Sequence, residues 1–492
     1  MPMDLEAGAG KLYPRLVIRD AHIVSGRGTP PEGPVDIVVE QGVIASINRV
    51  DAVSLNRYPK DWQRPQGDRV IDAKGMYVLP GLIDSHVHVP ATPGASPPFD
   101  WEYAYRLWLG HGVTSIRTMG GSEPAIYQHR ALAAQRPELP IPRLVVNHRF
   151  PREGRMTEAQ IRAQVGTCQQ LGADGIKMFG CEPSVLETVC DEANRLGMKA
   201  GVAIHLGLDG ETDAVMASNA GVRSIEHTYG IPEAAIPGVQ SFPQDYNEMD
   251  ELLRFRQSGC NWIEADRYPD RVLDVLDIMI TNQTVWSPTM VVYEPNRDIM
   301  RAQRQAWFDE YTTPAMLKFW APTPGVHASF HFDWRTSDDV AWKQKYQIWM
   351  KYLRTFFEEG GTIVAGADAG YLYTLYGFSL IRELEMLQEA GFHGLDIIKM
   401  ATTNSAALLG LDEQVRGVQV GAPADLAIVD GNPIGNFKLM YGMGMERYLE
   451  DRVTKVKGGG VRWTIRGGTV FDARGIMEEI KQYVQQQKAA VR

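Results

Sequence analysis

Eight apolar runs separated by segments of helical composition constrain this chain more than any other feature. They are MYVLPGLID, VTSIRTM, PRLVVN, GIKMFG, AGVAIH, VRSIEH, TVWSPTMVV and TIVAGAD. Each reads as a strand buried on both faces, the texture expected of a parallel sheet, and parallel neighbours need a crossover helix between them. Eight such units are what a closed (β/α)8 TIM barrel requires. A doubly wound sheet would show the same alternation, but the glycine-rich dinucleotide turn is absent after the first strand. The expected class is α/β, with the barrel at its centre.

The two chain ends have a different texture. LVIRDAHIVSGRGTPPEGPVDIVVEQGVIASINRV near the start, and GAPADLAIVDGNP and VRWTIRGGTVFDARG near the end, alternate β-rich stretches with Gly/Pro turns. They are expected to pair into one small β-sandwich, with residues 1–78 and 413–492 flanking a barrel over 79–412. The last residues, MEEIKQYVQQQKAAVR, read as a polar helical tail. Two stretches exceed what a minimal barrel needs, at about 229–283 and 295–360, and the second holds Trp307, Phe308, Trp320, Phe330, Trp334, Trp342 and Trp349. Insertions after barrel strands sit on the catalytic face, so these are lids or pocket walls, or else the core of a helical subdomain or an oligomer interface.

Composition narrows the partners. With 492 residues, 44% of them hydrophobic, the chain can build a large core, and its formal net charge of -10 argues against nucleic acid or an anionic membrane. A small molecule fits better. Four cysteines without C-x-x-C spacing read as reduced thiols. No apolar h-region opens the sequence and no run approaches the roughly 18 apolar residues of a membrane span, so the expected location is the cytoplasm.

Five of the eight runs carry, just inside, at or just past their ends, residues suited to a metal site: His86 and His88, Lys177, His205, His227 and Asp368. In a barrel these ends share one face. His86 and His88, two apart on a strand, point the same way and can grip one ion. Neutral imidazoles at successive strand ends suit zinc and similar divalent ions. Asp368 is either a helix N-cap or a ligand that also carries a proton for a metal-activated water. Lys177 by itself is an ordinary ammonium, which cannot ligate a metal. His148, Tyr229 and Tyr293 are candidates to polarise or hydrogen-bond a substrate carbonyl. His22, His111, His129, His327, His331 and His393 read as surface, helix-end or insertion residues.

The string PGLIDSHVH resembles the first-strand signature of the amidohydrolase superfamily, in its prolidase-like and imidazolonepropionase-like branch. GADGIKMFG, EANRLGMKAGVAIH, GVRSIEHTYG, GTIVAGAD and ATTNSAALLGLDEQVRGVQVGAPADLAIVDGNP extend the resemblance, in order, from about Leu16 to Pro433. It implies a binuclear hydrolase with two divalent ions, zinc foremost, bridged by a carbamate that carbon dioxide forms on Lys177. His86, His88, Lys177 and Asp368 would hold the more buried ion, and Lys177, His205 and His227 the second. The implied reaction is cleavage of an amide C–N bond in an Xaa-Pro dipeptide or N-acyl amino acid by a metal-bridging hydroxide, with Asp368 protonating the departing amine. A homo-oligomer is also implied.

Three alternatives stay open. The same machinery suits a lactone, ester or carbamate; a mononuclear cyclic-amide hydrolase or deaminase would leave Lys177 unmodified; and some relatives of this fold are catalytically dead interaction proteins. Two loops depart from the resemblance. NHRFPREGRMTEAQ stands where many prolidase-like relatives carry a glycine- and histidine-rich loop, and TYGIPEAAIPGVQSFPQDY replaces a shorter one.

Overall fold

Seven of the eight runs form parallel neighbours in sequence order: β1 (Leu82–Val87), β2 (Val113–Met119), β3 (Arg143–Arg149), β4 (Gly175–Phe179), β5 (Gly201–His205), β6 (Ser224–Glu226) and β7 (Val285–Ser287). The computed structural model describes residues 6, 8–57, 64–89, 100–151, 156–207, 211–238, 250–324, 331–448 and 453–491. His327 and Phe330 lie outside these residues. The first five crossovers carry α1 (Trp101–Gly110), α2 (Pro124–Gln135), α3 (Glu158–Gln170), α4 (Pro183–Arg195) and α5 (Ala214–Asn219). Their starts are locally encoded. Proline opens α2 and α4, where a missing N–H costs nothing, and Thr157 and Gln160 form a reciprocal capping box at α3.

The eighth run closes the barrel without becoming a regular strand. On one side the Trp286 N–H donates to Thr362 O (2.9 Å) and the Val364 N–H to Trp286 O (3.2 Å); on the other the Ser85 N–H donates to Ala365 O (3.1 Å) and the Asp368 N–H to His86 O (2.8 Å). Gly366 permits this approach. A Cβ there would lie 2.8 Å from the His86 Cβ and 2.9 Å from its backbone nitrogen. Small residues at 365–367 therefore bring the segment against β1 at the price of a continuous ladder.

The first run is divided between two sheets. Met76–Pro80 pairs antiparallel with Leu426–Asp430, and the chain then crosses at Gly81 into β1. That pairing joins the chain ends: strands from 11–49, 69–80, 426–430 and 461–472 make one nine-stranded sheet with its own core around Ile18, Ile37, Val39, Val78, Leu426 and Ile465. The fold is a TIM-type barrel beside a β-sandwich of both ends, as the sequence texture implies.

The insertions contribute α6 (Glu251–Ala265), α7 (Pro269–Thr281) and α8 (Thr336–Glu358), with α8 lying along α6. Their tryptophans are interior. Trp262 stacks on Trp286 and Tyr352, and the Trp342 Nε1 donates to Phe255 O (2.9 Å). Trp320, Trp342 and Trp349 are fully buried, so they fill a helical core rather than line an open pocket. The chain's last helix, α9 (Ala473–Val491), differs from the polar tail expected. Ala473, Ile476, Met477, Ile480 and Val484 form a buried stripe at helical spacing, and the helix docks against α1. No helix among the described residues is long and apolar enough to cross a membrane.

Candidate metal centre

The strand ends converge as parallel register requires. His86 and His88 leave β1 toward the closing segment, where the His88 Nε2 lies 3.0 Å and the His86 Nε2 3.6 Å from the Asp368 Oδ1. Ligand atoms of these three residues fall within 4.8 Å of one another, a spacing that suits a shared ion. Lys177 is completely buried on β4, over the Phe179 ring at 5.1 Å. Ring centroids of His86 and His227, and of His227 and His205, are each 4.6 Å apart. All six candidate ligands thus belong to one cluster.

Backbone conformation at the cluster is unusual. His227, Thr289 and Asp368 have φ of 68°, 46° and 51°, a region non-glycine residues seldom occupy and that marks local strain. The surrounding contacts hold them there: the His227 Nδ1 meets the Thr289 hydroxyl at 2.6 Å, and the Asp368 N–H is taken by His86 O.

Several residues that orient the histidines escape the sequence reading. The Glu226 Oε2 lies 2.6 Å from the His86 Nδ1, and an anionic acceptor there places the proton on Nδ1 and leaves Nε2 with its lone pair. The Arg117 Nη2 donates to the other Glu226 oxygen (2.9 Å) and its Nη1 to the Ser224 Oγ (3.1 Å). Asp84 accepts from the Ala367 N–H (2.8 Å) and the Trp108 Nε1 (3.2 Å), tying β1 to the closing segment and to α1. A signal existed for Arg117. A buried arginine inside the run VTSIRTM needs a carboxylate, and the run VRSIEH carries one, Glu226.

Electrostatics favour ligation. Burial lowers His86 to about 4, and burial reinforced by neighbouring cationic groups holds His205 and His227 well below the usual histidine range, so all three are neutral imidazoles. Burial raises the Asp368 carboxyl, but His86, His88 and Lys177 outweigh it and hold it down to about 2. Burial lowers Lys177 to about 8, against the pull of Glu226. The fit to a divalent cation rests on geometry as well. Among the described residues His86 Nε2 and Lys177 Nζ are buried polar atoms without a hydrogen-bond partner beside the Asp368 carboxylate, an expensive arrangement that an ion would relieve.

The substrate candidates divide. Tyr229 stacks on His205 (5.1 Å) and Tyr293 meets His227 edge-on (5.8 Å), so both border the cluster. His148 does not. It pairs in register with Ile176, whose side chain lies on the helix-facing side of the sheet, and its Nδ1 meets the Tyr127 hydroxyl of α2 at 2.7 Å.

The amidohydrolase family model matches residues 77–239 and 353–470, more than half of the chain. The chain belongs to the amidohydrolase family. The interval between the two matched stretches holds α6, α7, β7 and most of α8. A dihydroorotase from Trichlorobacter lovleyi is 36% identical over 122 residues, 24% of this chain and 25% of that one. An imidazolonepropionase from Salinispora arenicola is 34% identical over 110 residues, 22% of this chain and 26% of that one. The chain thus spans about a quarter of the length of the curated relatives it matches. Among solved structures, a Xaa-Pro dipeptidase with methionine bound in its active site superposes with a TM-score of 0.63 at 19% identity, over 93% of this chain and 100% of that one. A bottromycin amidohydrolase superposes at 0.65 and 19%, over 99% and 92%. At such identities these structures establish a shared amidohydrolase fold.

Proposed function

We propose that this amidohydrolase-family chain is a metal-dependent hydrolase of an amide bond, acting on an Xaa-Pro dipeptide or N-acyl amino acid with two divalent ions, zinc foremost. The observation that carries the reading is the meeting of two partnerless buried atoms, His86 Nε2 and Lys177 Nζ, with the Asp368 carboxylate, beside two more neutral imidazoles. His86, His88, Lys177 and Asp368 would hold the first ion, and Lys177, His205 and His227 the second. When bound, the ions supply an activated water and a Lewis acid for the substrate carbonyl.

The protein's own groups do the rest. Asp368, held as a carboxylate at neutral pH, can accept a proton and return it to the departing amine nitrogen. Glu226 keeps the His86 proton on Nδ1 and the ring in place. A lysine with a lowered pKa carries a larger fraction of neutral amine, whose nitrogen adds to the carbon of carbon dioxide with loss of one proton, giving a carbamate at Lys177. Tyr229 and Tyr293 bound the space around His205 and His227.

One observation favours the mononuclear alternative. Only His86, His88 and Asp368 form a compact ligand set among the described residues, while the His205 Nδ1 accepts the Gly207 N–H, which puts the proton of the neutral ring on Nε2 and leaves neither nitrogen free. Elemental analysis together with a hydrolysis panel of Xaa-Pro dipeptides, N-acyl amino acids, lactones and cyclic amides separates the readings. Two ions per chain with amide cleavage is the expected result. One ion with cyclic-amide turnover would establish the alternative, and lactone turnover alone would remove the amide reading.

A further inference from the structure

Arg149, the last residue of β3, falls in the loop sequence that departs from the family resemblance. Its Cα pairs with that of Lys177 in parallel register. Neighbours in register project to the same face, so the Arg149 side chain leaves the sheet on the side of Lys177, whereas the preceding His148 leaves on the other. The guanidinium lies over the Phe179 ring at 5.0 Å from its centroid, and the same ring has the Lys177 Nζ at 5.1 Å and the His205 ring at 6.0 Å. Arg149 is therefore one phenylalanine away from two proposed metal ligands.

Its charge is not consumed by the fold. Arg117 is bound to Glu226 and Arg143 to Asp425, but Arg149 is exposed and, among the described residues, its side chain has no hydrogen bond or ion pair. Gly120, at the end of β2, leaves room beside it, since a Cβ there would sit 3.8 Å from the Arg149 Cβ and 3.5 Å from Phe179. A planar guanidinium resting on an aromatic face is pre-organised and offers paired N–H groups that match a carboxylate.

We propose that Arg149 selects the substrate by holding a carboxylate on the amine-side half of the scissile amide. The proposal rests on the amide-hydrolase reading and narrows it. The carboxylate of a dipeptide or N-acyl amino acid lies only a few bonds from the scissile carbonyl, close enough for a group at the barrel rim to hold it while the carbonyl sits at the metal cluster. Neutral cyclic amides and lactones lack the anchor and are discriminated against.

The test uses zinc-loaded protein and a series of N-acetyl amino acids and Xaa-Pro dipeptides, each with its C-terminal N-methylamide. The readout is the ratio of kcat/KM for acid over N-methylamide. Wild type should favour the acid, and Arg149→Met, which keeps the stem over Phe179 but removes the charge, should lower the ratio by about 30-fold, mainly through KM, the scale of a lost charge-assisted contact. Arg149→Lys should retain part of it. An unchanged ratio in Arg149→Met, or a wild type that prefers the N-methylamides, overturns the role of Arg149 and leaves amide cleavage standing. A wild type that cleaves neither class removes the amide reading. Calorimetric binding of the N-acetyl amino acids then decides the anchor: weaker binding to Arg149→Met than to wild type supports it, and equal or undetectable binding to both overturns it.

Discussion

At the scale of single residues, charge and protonation at the cluster can be separated by substitution. Asp368→Asn nearly preserves volume but removes the proton acceptor, so kcat should fall by more than about 10²-fold with a smaller change in KM, as for loss of a general acid–base group. Steady-state kinetics checks this, and near-normal turnover would remove Asp368 from the proton transfer. Lys177→Ala should bind metal poorly and be inactive, with partial recovery in acetate, formate or bicarbonate if a small carboxylate fills the bridging position; Lys177→Arg should not recover, because guanidinium stays protonated. Glu226→Gln acts from one shell further out. It strips the charge that fixes the His86 tautomer and leaves Arg117 buried without its counter-ion. Metal affinity should drop by about 10- to 100-fold and unfolding stability by about 3–5 kcal/mol, read by chelator competition and urea titration. An affinity loss without a stability loss would mean that Arg117 does not depend on Glu226.

At the scale of elements, the closing segment is the part whose form the sequence least prepares for. TIVAGAD has the composition of a buried strand, yet Gly366 lets it pack against His86 so closely that only isolated bridges form. Gly366→Ala should push the segment away from β1, moving Asp368 out of reach of His86 and His88. Overpacking of this kind costs about 1–3 kcal/mol, and metal affinity should fall along with thermal stability. A variant with wild-type melting and metal content would show that the segment shifts freely. α9 teaches a related lesson. Its glutamines and lysines suggest a solvated tail, but Ile476, Ile480 and Val484 repeat at helical spacing and reach a surface on α1 that no local pattern reveals.

At the scale of the whole molecule, a buried carboxyl couples the insertion side of the barrel to pH. Glu383, in the helix Phe378–Glu389, accepts the Met290 and Val291 N–H groups (3.0 and 2.7 Å), anchoring the turn that carries Thr289 against His227. Burial raises it from 4.5 to about 8, against those two hydrogen bonds. The folded state therefore binds a proton that the unfolded state releases above its own, lower pKa. The resulting stability is full below about pH 4.5 and is lost as pH rises toward 8, at no more than about 1.4 kcal/mol per pH unit. Urea unfolding of the metal-free protein between pH 6 and 9 should show this decline, and Glu383→Gln should flatten it. An identical slope in the variant would assign the pH dependence to another group.

Much of the architecture was legible because it is written locally. Strand runs, crossover helices, capping residues and the order of His86, His88, Lys177, His205, His227 and Asp368 depend on short periods and on the rule that barrel strand ends share a face. What the sequence by itself determined was therefore the fold class and which residues stand at the strand ends. Only tertiary structure decided which side of a strand each residue takes and what it meets there. Register turned His148 toward α2 and left Arg149 beside Lys177, since a displacement by one residue reverses the direction of every side chain. The pairing of Arg117 with Glu226 spans 109 residues, and the need to neutralise a buried charge says that a partner exists without saying where packing will place it.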